Sequence, residues 1–124
     1  MLNDLFLQND ILGASMQAAV VRNDVIGNNI ANAEVPGYKK KTVQFEIFLN
    51  EAFQDAKKTG KMDLSRIRPQ LITEHAGYNY RIDENNVDIE SEMVDLYQNA
   101  VKYETLAGSV INNYKRINLI SQMR

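Results

Sequence analysis

The chain has no cysteine, one histidine and two prolines among its 124 residues. Without cysteine it can form neither a disulfide framework nor a thiolate metal site. Absence of cysteine also suits a protein that passes through an oxidising compartment. The single histidine, His75, falls in a predicted turn, where a solvated loop residue is expected rather than a catalyst. Composition therefore gives no support to a metal or nucleophile chemistry.

Long apolar runs and an excess of basic charge are also missing. No segment approaches the roughly 20 consecutive apolar residues that span a bilayer. The first residues lack both the positive region and the continuous apolar core of a secretory signal. A formal net charge of -2 provides no basic field for a phosphate backbone, which argues against a nucleic-acid partner. If the protein leaves the cytoplasm, we expect a route without a cleaved signal peptide.

What the sequence does contain is helical periodicity at both ends. Residues 4–33 and 88–121 carry apolar positions at alternating steps of four and three, the spacing of a helix packed along another helix. Asp88 is a plausible N-cap of the second helix. The predicted helix-pairing residues are Leu12, Met16, Ala19, Ile26 and Ile30 in the first helix, and Ile89, Met93, Leu96, Ala100, Tyr103, Ala107, Val110, Tyr114 and Ile117 in the second.

The middle of the chain differs in character from the ends. Pro36 and Gly37 suit the second and third positions of a type II turn. A short helix is predicted near 44–57, followed by a basic, polar loop over 57–68. Leu71–Thr73 and Tyr78–Ile82 flank a turn and predict a small β-hairpin.

The predicted fold class is mainly α, with long N- and C-terminal helices paired as a coiled-coil-like hairpin. A short middle helix and a small β-hairpin complete it. We divide the one structural domain into an N-terminal helix (1–34), a linking segment (35–87) and a C-terminal helix (88–124).

Each long helix also carries part of a second apolar stripe, although pairing with one neighbour requires only one. The surplus predicts contacts with other subunits, each worth roughly 25 cal/mol per Å² buried. Periodicity alone equally allows the short middle helix to cover this surface in a monomeric three-helix bundle. A soluble adaptor that binds one partner helix is a further alternative. The second stripes comprise Ile11, Ala14, Ala18, Val21 and Val25, and Val94, Tyr97, Val101, Gly108 and Ile111.

Two short motifs favour the assembly interpretation through a resemblance. The first resembles the N-terminal signature of flagellar rod, hook and hook-associated proteins, with Val35 where threonine is commonest. The second, together with the short length, is similar to the proximal-rod members of the flagellar basal-body rod family. The motif residues are Asn28, Asn29, Ile30, Ala31, Asn32, Pro36, Gly37 and Tyr38, and then Asn85, Asn86, Val87 and Asp88.

This resemblance implies a structural protein of bacterial motility, not an enzyme. It implies a rod subunit that self-assembles outside the cytoplasmic membrane into a tube transmitting torque and enclosing the export channel. The implied partners are other rod subunits, further copies of the chain, the membrane-ring adaptor and the flagellar type III export apparatus. No cofactor, metal, nucleic acid or small-molecule substrate is implied.

Overall fold

The computed structural model describes residues 1–74 and 82–123. Three α-helices and one two-stranded antiparallel sheet make up the regular structure of this part of the chain. In chain order the elements are α1 (Leu2–Ala31), β1 (Lys41–Gln44), α2 (Glu46–Thr59), a 3-10 turn (Leu64–Arg66), β2 (Gln70–Thr73) and α3 (Ile89–Gln122).

The two long helices pack against each other in opposite directions. The side chain of Asn99 contacts the middle of α1 at Ala19, and Glu92, earlier in α3, contacts Asn29, later in α1. Asp88 caps α3 by accepting hydrogen bonds from backbone amides of the first turn, as predicted. The predicted fold class is confirmed: paired terminal helices, a short middle helix and a small sheet.

The end of α1 turns the chain sharply towards β1. Gly37 has a φ of 75°, and the backbone amide of Tyr38 donates to the carbonyl of Val35 over 3.3 Å. Pro36 therefore occupies the second turn position and Gly37 the third, where only glycine adopts positive φ without strain. The turn predicted from these two residues is confirmed.

The small sheet contains a strand, β1, that the sequence did not predict. β1 pairs with β2, so that Lys41 lies opposite Thr73 and Gln44 opposite Gln70. The predicted second strand, Tyr78–Ile82, lies outside the described residues except for Ile82, which is exposed. β1 is four residues long, and its one apolar side chain, Val43, is buried. A segment this short with a single apolar residue shows no alternating pattern by which a strand could be predicted.

A separate apolar cluster joins α2 and the 3-10 turn to one side of α1. Its buried members are Ala18, Phe45, Ala52 and Ile67. The prediction of a polar loop over residues 57–68 is therefore only partly right. α2 continues to Thr59, and the chain then folds back so that isolated apolar residues among charged neighbours reach the core. The surrounding half-buried residues are Ala14, Leu49, Met62 and Leu64.

The cluster also decides how the second stripe of α1 is covered. Ala14 and Ala18 belong to that stripe, and both lie in the cluster with α2 residues. For this part of α1, the middle helix and Phe45 before it provide the cover, as the three-helix alternative expected. No comparable cover exists for α3 among the described residues.

Replacing Phe45 by alanine tests this cluster. Phe45 is 2% exposed, so the change is expected to lower the free energy of unfolding by about 3 kcal/mol through lost burial and a residual cavity. Urea denaturation monitored by circular dichroism measures the loss. Phe53→Ala is the matched control, because Phe53 is 43% exposed and should cost less than about 1 kcal/mol. Equal losses for both variants would contradict the assigned core.

Candidate functional site: the asparagine-centred junction

The two sequence motifs meet at one end of the helix pair. Asn29 lies in the last turn of α1 and is fully buried, and Asn85 lies just before α3 and is 1% exposed. Buried amides are costly unless they are hydrogen-bonded. The region where these two side chains tie the chain together, residues 29–41 with 83–92, is called the junction below.

Asn29 uses its complete hydrogen-bonding capacity within the junction. Its Nδ2 donates to the Lys41 carbonyl over 2.7 Å and to Glu92 Oε2 over 3.1 Å. Its Oδ1 accepts from the Tyr38 hydroxyl and from the Lys41 amide, both over 3.0 Å. An amide side chain has two donor hydrogens and two acceptor lone pairs, so none is left over. One asparagine therefore connects α1, the turn, β1 and α3.

Asn85 binds the backbone immediately after α1. Its Nδ2 donates to the carbonyls of Asn32 and Val35 over 2.9 and 2.8 Å, and its Oδ1 accepts from the Val87 amide over 2.9 Å. Carbonyls at the end of a helix lack partners in the helix itself. The carbonyls of Asn32 and Val35, just after the helix, also accept the backbone amides of Val35 and Tyr38, and Asn85 adds a second hydrogen bond to each from the segment that leads into α3.

Asn86 extends the same connection to the sheet. Its Oδ1 accepts from the Lys40 amide over 2.6 Å, and its Nδ2 donates to the Glu74 carbonyl over 3.2 Å. The amide of Gly37 also donates to the Asp83 carbonyl over 2.7 Å. The two motifs thus form one network.

A buried ion pair lies beneath the network. Glu92 is 1% exposed, and the Lys40 Nζ lies 2.7 Å from its Oε1. Burial alone would lower the pKa of Lys40, but contact with the Glu92 carboxylate outweighs it, and the pKa is raised. Burial and the negative charge of Glu92 together raise the pKa of Tyr38. The junction therefore holds a protonated lysine and a neutral tyrosine beside the carboxylate of Glu92.

The remaining motif residues have local or backbone roles within the chain. Asn32 Nδ2 donates to the Asn28 carbonyl over 2.7 Å, within the same turn. Val87 is buried, Ile30 is half-buried, and Asp88 caps α3. The exposed residues among them are Asn28, Ala31, Pro36 and Gly37.

The predicted pairing residues are correctly placed in α1 but only partly in α3. In α1, Ala19 and Ile26 are buried, while Leu12, Met16 and Ile30 are half-buried. In α3, the half-buried members are Leu96, Ala107, Val110 and Ile117, and the exposed members are Ile89, Met93, Ala100, Tyr103 and Tyr114.

Of the five exposed residues, Ala100 and Tyr103 border a groove that Ala19 of α1 also lines. The assignment to the α1–α3 seam is corrected for the other three, Ile89, Met93 and Tyr114. The buried residues of α3 are Glu92, Asn99 and Asn113, all polar. A search for apolar periodicity follows the most apolar stripe of a helix, and at 100° per residue that stripe lies roughly 70° around α3 from the line of buried polar residues. Part of the stripe is therefore half-buried, and the rest is exposed. The signal that could have revealed the seam is the recurrence of polar side chains at 92, 99 and 113, which are multiples of seven apart.

A second charged contact joins all three helices. Glu46, at the start of α2, lies 2.9 Å from Arg22 of α1 and 2.7 Å from Lys102 of α3. Burial opposes ionisation of the carboxyl, but hydrogen bonds from Arg22 and Lys102 prevail and lower its pKa to about 2. Glu46 therefore positions the short helix across the long pair.

The described residues contain neither a metal-binding cluster nor a membrane-spanning helix. They contain no group of three or more histidine, cysteine or acidic side chains that could hold a metal ion. None of their helices combines the length and apolar character needed to cross a bilayer.

Comparison with known proteins identifies this arrangement. Residues 12–39 match the family model described as flagella basal body rod protein. Flagellar basal body rod protein FlgB of Bacillus subtilis is 30% identical, over 86% of each chain. FlgB of Aeromonas hydrophila is 32% identical over 68% of this chain and 69% of its own. FlgB of Borreliella burgdorferi is 26% identical over 96% and 98%.

The chain belongs to the flagellar basal body rod proteins, a family of structural proteins. Its three relatives named above are all FlgB, and the likeness to them extends well beyond the N-terminal signature. The recognition made from the two motifs is thereby confirmed.

Asn29→Ala tests the junction. The change leaves the Lys41 backbone groups and the buried Oε2 of Glu92 without their hydrogen bonds to Asn29, and it should lower the free energy of unfolding by about 3 kcal/mol. Chemical denaturation measures the loss. Asn28→Ala, one residue earlier and exposed, is the matched control and should change stability by no more than about 0.5 kcal/mol. A similar small effect at Asn29 would contradict the proposed importance of its hydrogen bonds.

The lowered pKa of Glu46 predicts how the stability of the chain depends on pH. Its folded pKa of about 2 lies below the ordinary value of 4.5, so its contribution to stability is complete above pH 4.5. That contribution declines as pH falls from 4.5 and is lost below about 2. Thermal unfolding of Glu46→Gln and the parent chain should therefore differ most at neutral pH and converge near pH 2. A difference that stays constant over this range would contradict the assignment.

Proposed function

We propose that the protein is a structural subunit of the flagellar basal body rod and that it performs no catalysis. Family membership supports the structural role, and the likeness covers 86% of the Bacillus subtilis rod protein and 98% of the Borreliella burgdorferi one. The observation that carries the proposal to particular residues is the uncovered apolar face of α3.

That face lies opposite the seam with α1. At 100° per residue, the buried Glu92, Asn99 and Asn113 cluster on one side of α3, and most of the large exposed apolar residues lie around the other. They extend along nearly the whole helix, and no described segment of the chain covers them. We call the set on that opposite side the outward face: Met93, Val94, Tyr97, Val101, Ile111 and Leu119.

The occupant that we propose for the outward face is a helix of a neighbouring rod subunit. Contiguous apolar patches of this kind are uncommon on monomeric proteins and mark interaction sites. Burial of apolar surface contributes about 25 cal/mol per Å², and this modest gain is enough to hold a polymer together when it is repeated between many subunits. The face therefore provides the cohesion of a polymer, and α1 provides the internal partner that keeps α3 straight.

The finer parts of the proposal follow from this assembly. The chain would lie in the proximal rod, outside the cytoplasmic membrane, in a tube that transmits torque and encloses the export channel. Its neighbours would be its own copies, other rod subunits and the membrane-ring adaptor. It would reach them through the flagellar type III export apparatus, without a cleaved signal peptide.

Charge placed on the outward face should prevent assembly without unfolding the chain. Tyr97 and Ile111 are 73% and 54% exposed, so the double variant Tyr97→Glu, Ile111→Glu keeps its internal contacts. In cells lacking the gene, the parent chain should restore basal bodies and swimming, and the double variant should not. Electron microscopy of isolated basal bodies and motility assays measure the result, and circular dichroism of the purified variant verifies its helices.

The matched control is Gln8→Glu, Gln17→Glu, which adds the same charge to exposed positions of α1. It should support normal basal bodies. Rotating flagella in cells carrying the outward-face variant would contradict this docking surface alone. Complete flagella in cells lacking the gene would contradict the rod function itself.

A further inference from the structure

The charge of the chain is concentrated in two segments of opposite sign. Residues 57–68 carry five basic side chains and one acidic side chain, whereas residues 83–95 carry six acidic side chains and no basic one. The rest of the chain has nine of each kind. The formal net charge of -2 is therefore the difference between two strong local charges, and each creates a field at its own surface. Residues 57–68 are called the basic segment below.

The basic segment exposes its cations to solvent. Ile67 anchors the segment in the apolar cluster against α1, and all five basic residues are exposed. Arg66 forms an ion pair with Asp55 over 2.8 Å, and the other four have no ion-pair partner in the part of the chain that the structure describes. The dipole of α2 accounts for basic residues in its last turn. It does not account for Lys61 and Arg68, which lie beyond the end of the helix.

Acidic side chains collect at the end of the helix pair where the junction lies. Glu84 and Glu90, within residues 83–95, are exposed, and the hydrogen bonds from Asn85 to the backbone after α1 bring the exposed Glu34 to the same end. None of the three glutamates has an ion-pair partner among the residues that the structure describes. The dipole of α1 disfavours an acid at Glu34, just after the C-terminus of the helix. Glu34 and residues 83–95 are called the acidic end below.

The fold keeps the basic segment and the acidic end apart. The basic segment packs on α1 at Ala18, and Asn85 ties the acidic end to Asn32, the C-cap of α1. At a rise of about 1.5 Å per residue, these two anchor points are about 20 Å apart along α1. Within residues 1–74 and 82–123 no ion pair joins the two surfaces. Each surface therefore stays available to another molecule, and each is the electrostatic complement of the other.

We propose that the basic segment of one subunit docks on the acidic end of the next copy of the chain, an inference that rests on the proposed function as a rod subunit. A contact between two different surfaces leaves each copy with one surface free for a further neighbour, as the growth of a polymer requires. Exposed ion pairs contribute little cohesion, but complementary charge orients the approaching molecule and disfavours wrong arrangements. The outward face then supplies the cohesion of the assembly, and the two charged surfaces supply its orientation.

Engineered cysteines can report this contact in the assembled rod, because the chain has none of its own. The pair Lys61→Cys, Glu84→Cys places one thiol on each surface, and Lys58→Cys, Glu90→Cys samples the same two surfaces at other exposed positions. Each two-cysteine chain is expressed beside the parent chain, which secures rod assembly. Isolated basal bodies are treated with a bis-maleimide shorter than the separation of the two anchor points. Cross-linked species are then resolved by gel electrophoresis and detected with an antibody to the chain.

At least one pair should give dimers and trimers of the chain. The yield should be at least about tenfold above that of chains with either cysteine alone, because docking raises the effective concentration of the two thiols. Adding Lys57→Gln, Arg68→Gln should lower the yield at least about threefold, since it removes half of the unpaired cations. The matched control is Gln8→Glu, Gln17→Glu, which gives the chain the same net charge and should leave the yield unchanged.

Three results would overturn the proposal. They are cross-linking no greater than that of the single-cysteine chains with both pairs, dimers without trimers, and equal yields in the two charge variants. Dimers alone would mean that two copies close on each other. Any of these results in basal bodies that contain the chain leaves the rod function standing, whereas complete flagella in cells lacking the gene would contradict that function instead.

Discussion

The fold depends on one buried carboxylate. Glu92 enters the interior with its charge, and the chain accommodates it by bringing Lys40 and Asn29 to its two oxygens. Lys40 can reach it only because the turn after α1 directs the chain back along the helix pair. Asn29 can reach it only from the last turn of α1. The position of the linking segment is thus set by an electrostatic requirement as well as by apolar burial.

This requirement explains which parts of the fold could be predicted from the sequence. The long helices, their caps and the turn follow from local chemistry, which the sequence states directly: periodic apolar residues, Asp88 before the first turn, and Pro36 with Gly37. The division into terminal helices and linking segment stays a prediction. β1 and the packing of Ile67 depend on contacts between distant residues, and neither has a local pattern strong enough to identify it.

The seam of α3 shows a different limit. Periodicity identified the correct face of α1, because the most apolar face of that helix is also the buried one. In α3 the apolar stripe is displaced around the helix from the buried polar line, so the same reasoning selected Met93 and Tyr114 where the structure buries their neighbours Glu92 and Asn113. The hydrophobicity of a helix face indicates how much free energy its burial would release, whatever covers it. It does not indicate whether the cover comes from the same chain or from a neighbouring subunit, so a helix with both kinds of partner misleads the prediction.

The junction also joins residues that are far apart along the chain, since Asn29 and Glu92 are separated by 63 positions. During synthesis, α1 leaves the ribosome long before the residues that complete its end. A nascent chain cannot close the junction until residue 92 has emerged, and contacts of such long sequence separation form slowly even then. The connectivity of the polar network therefore delays completion of the fold until the first turn of α3 has been synthesised.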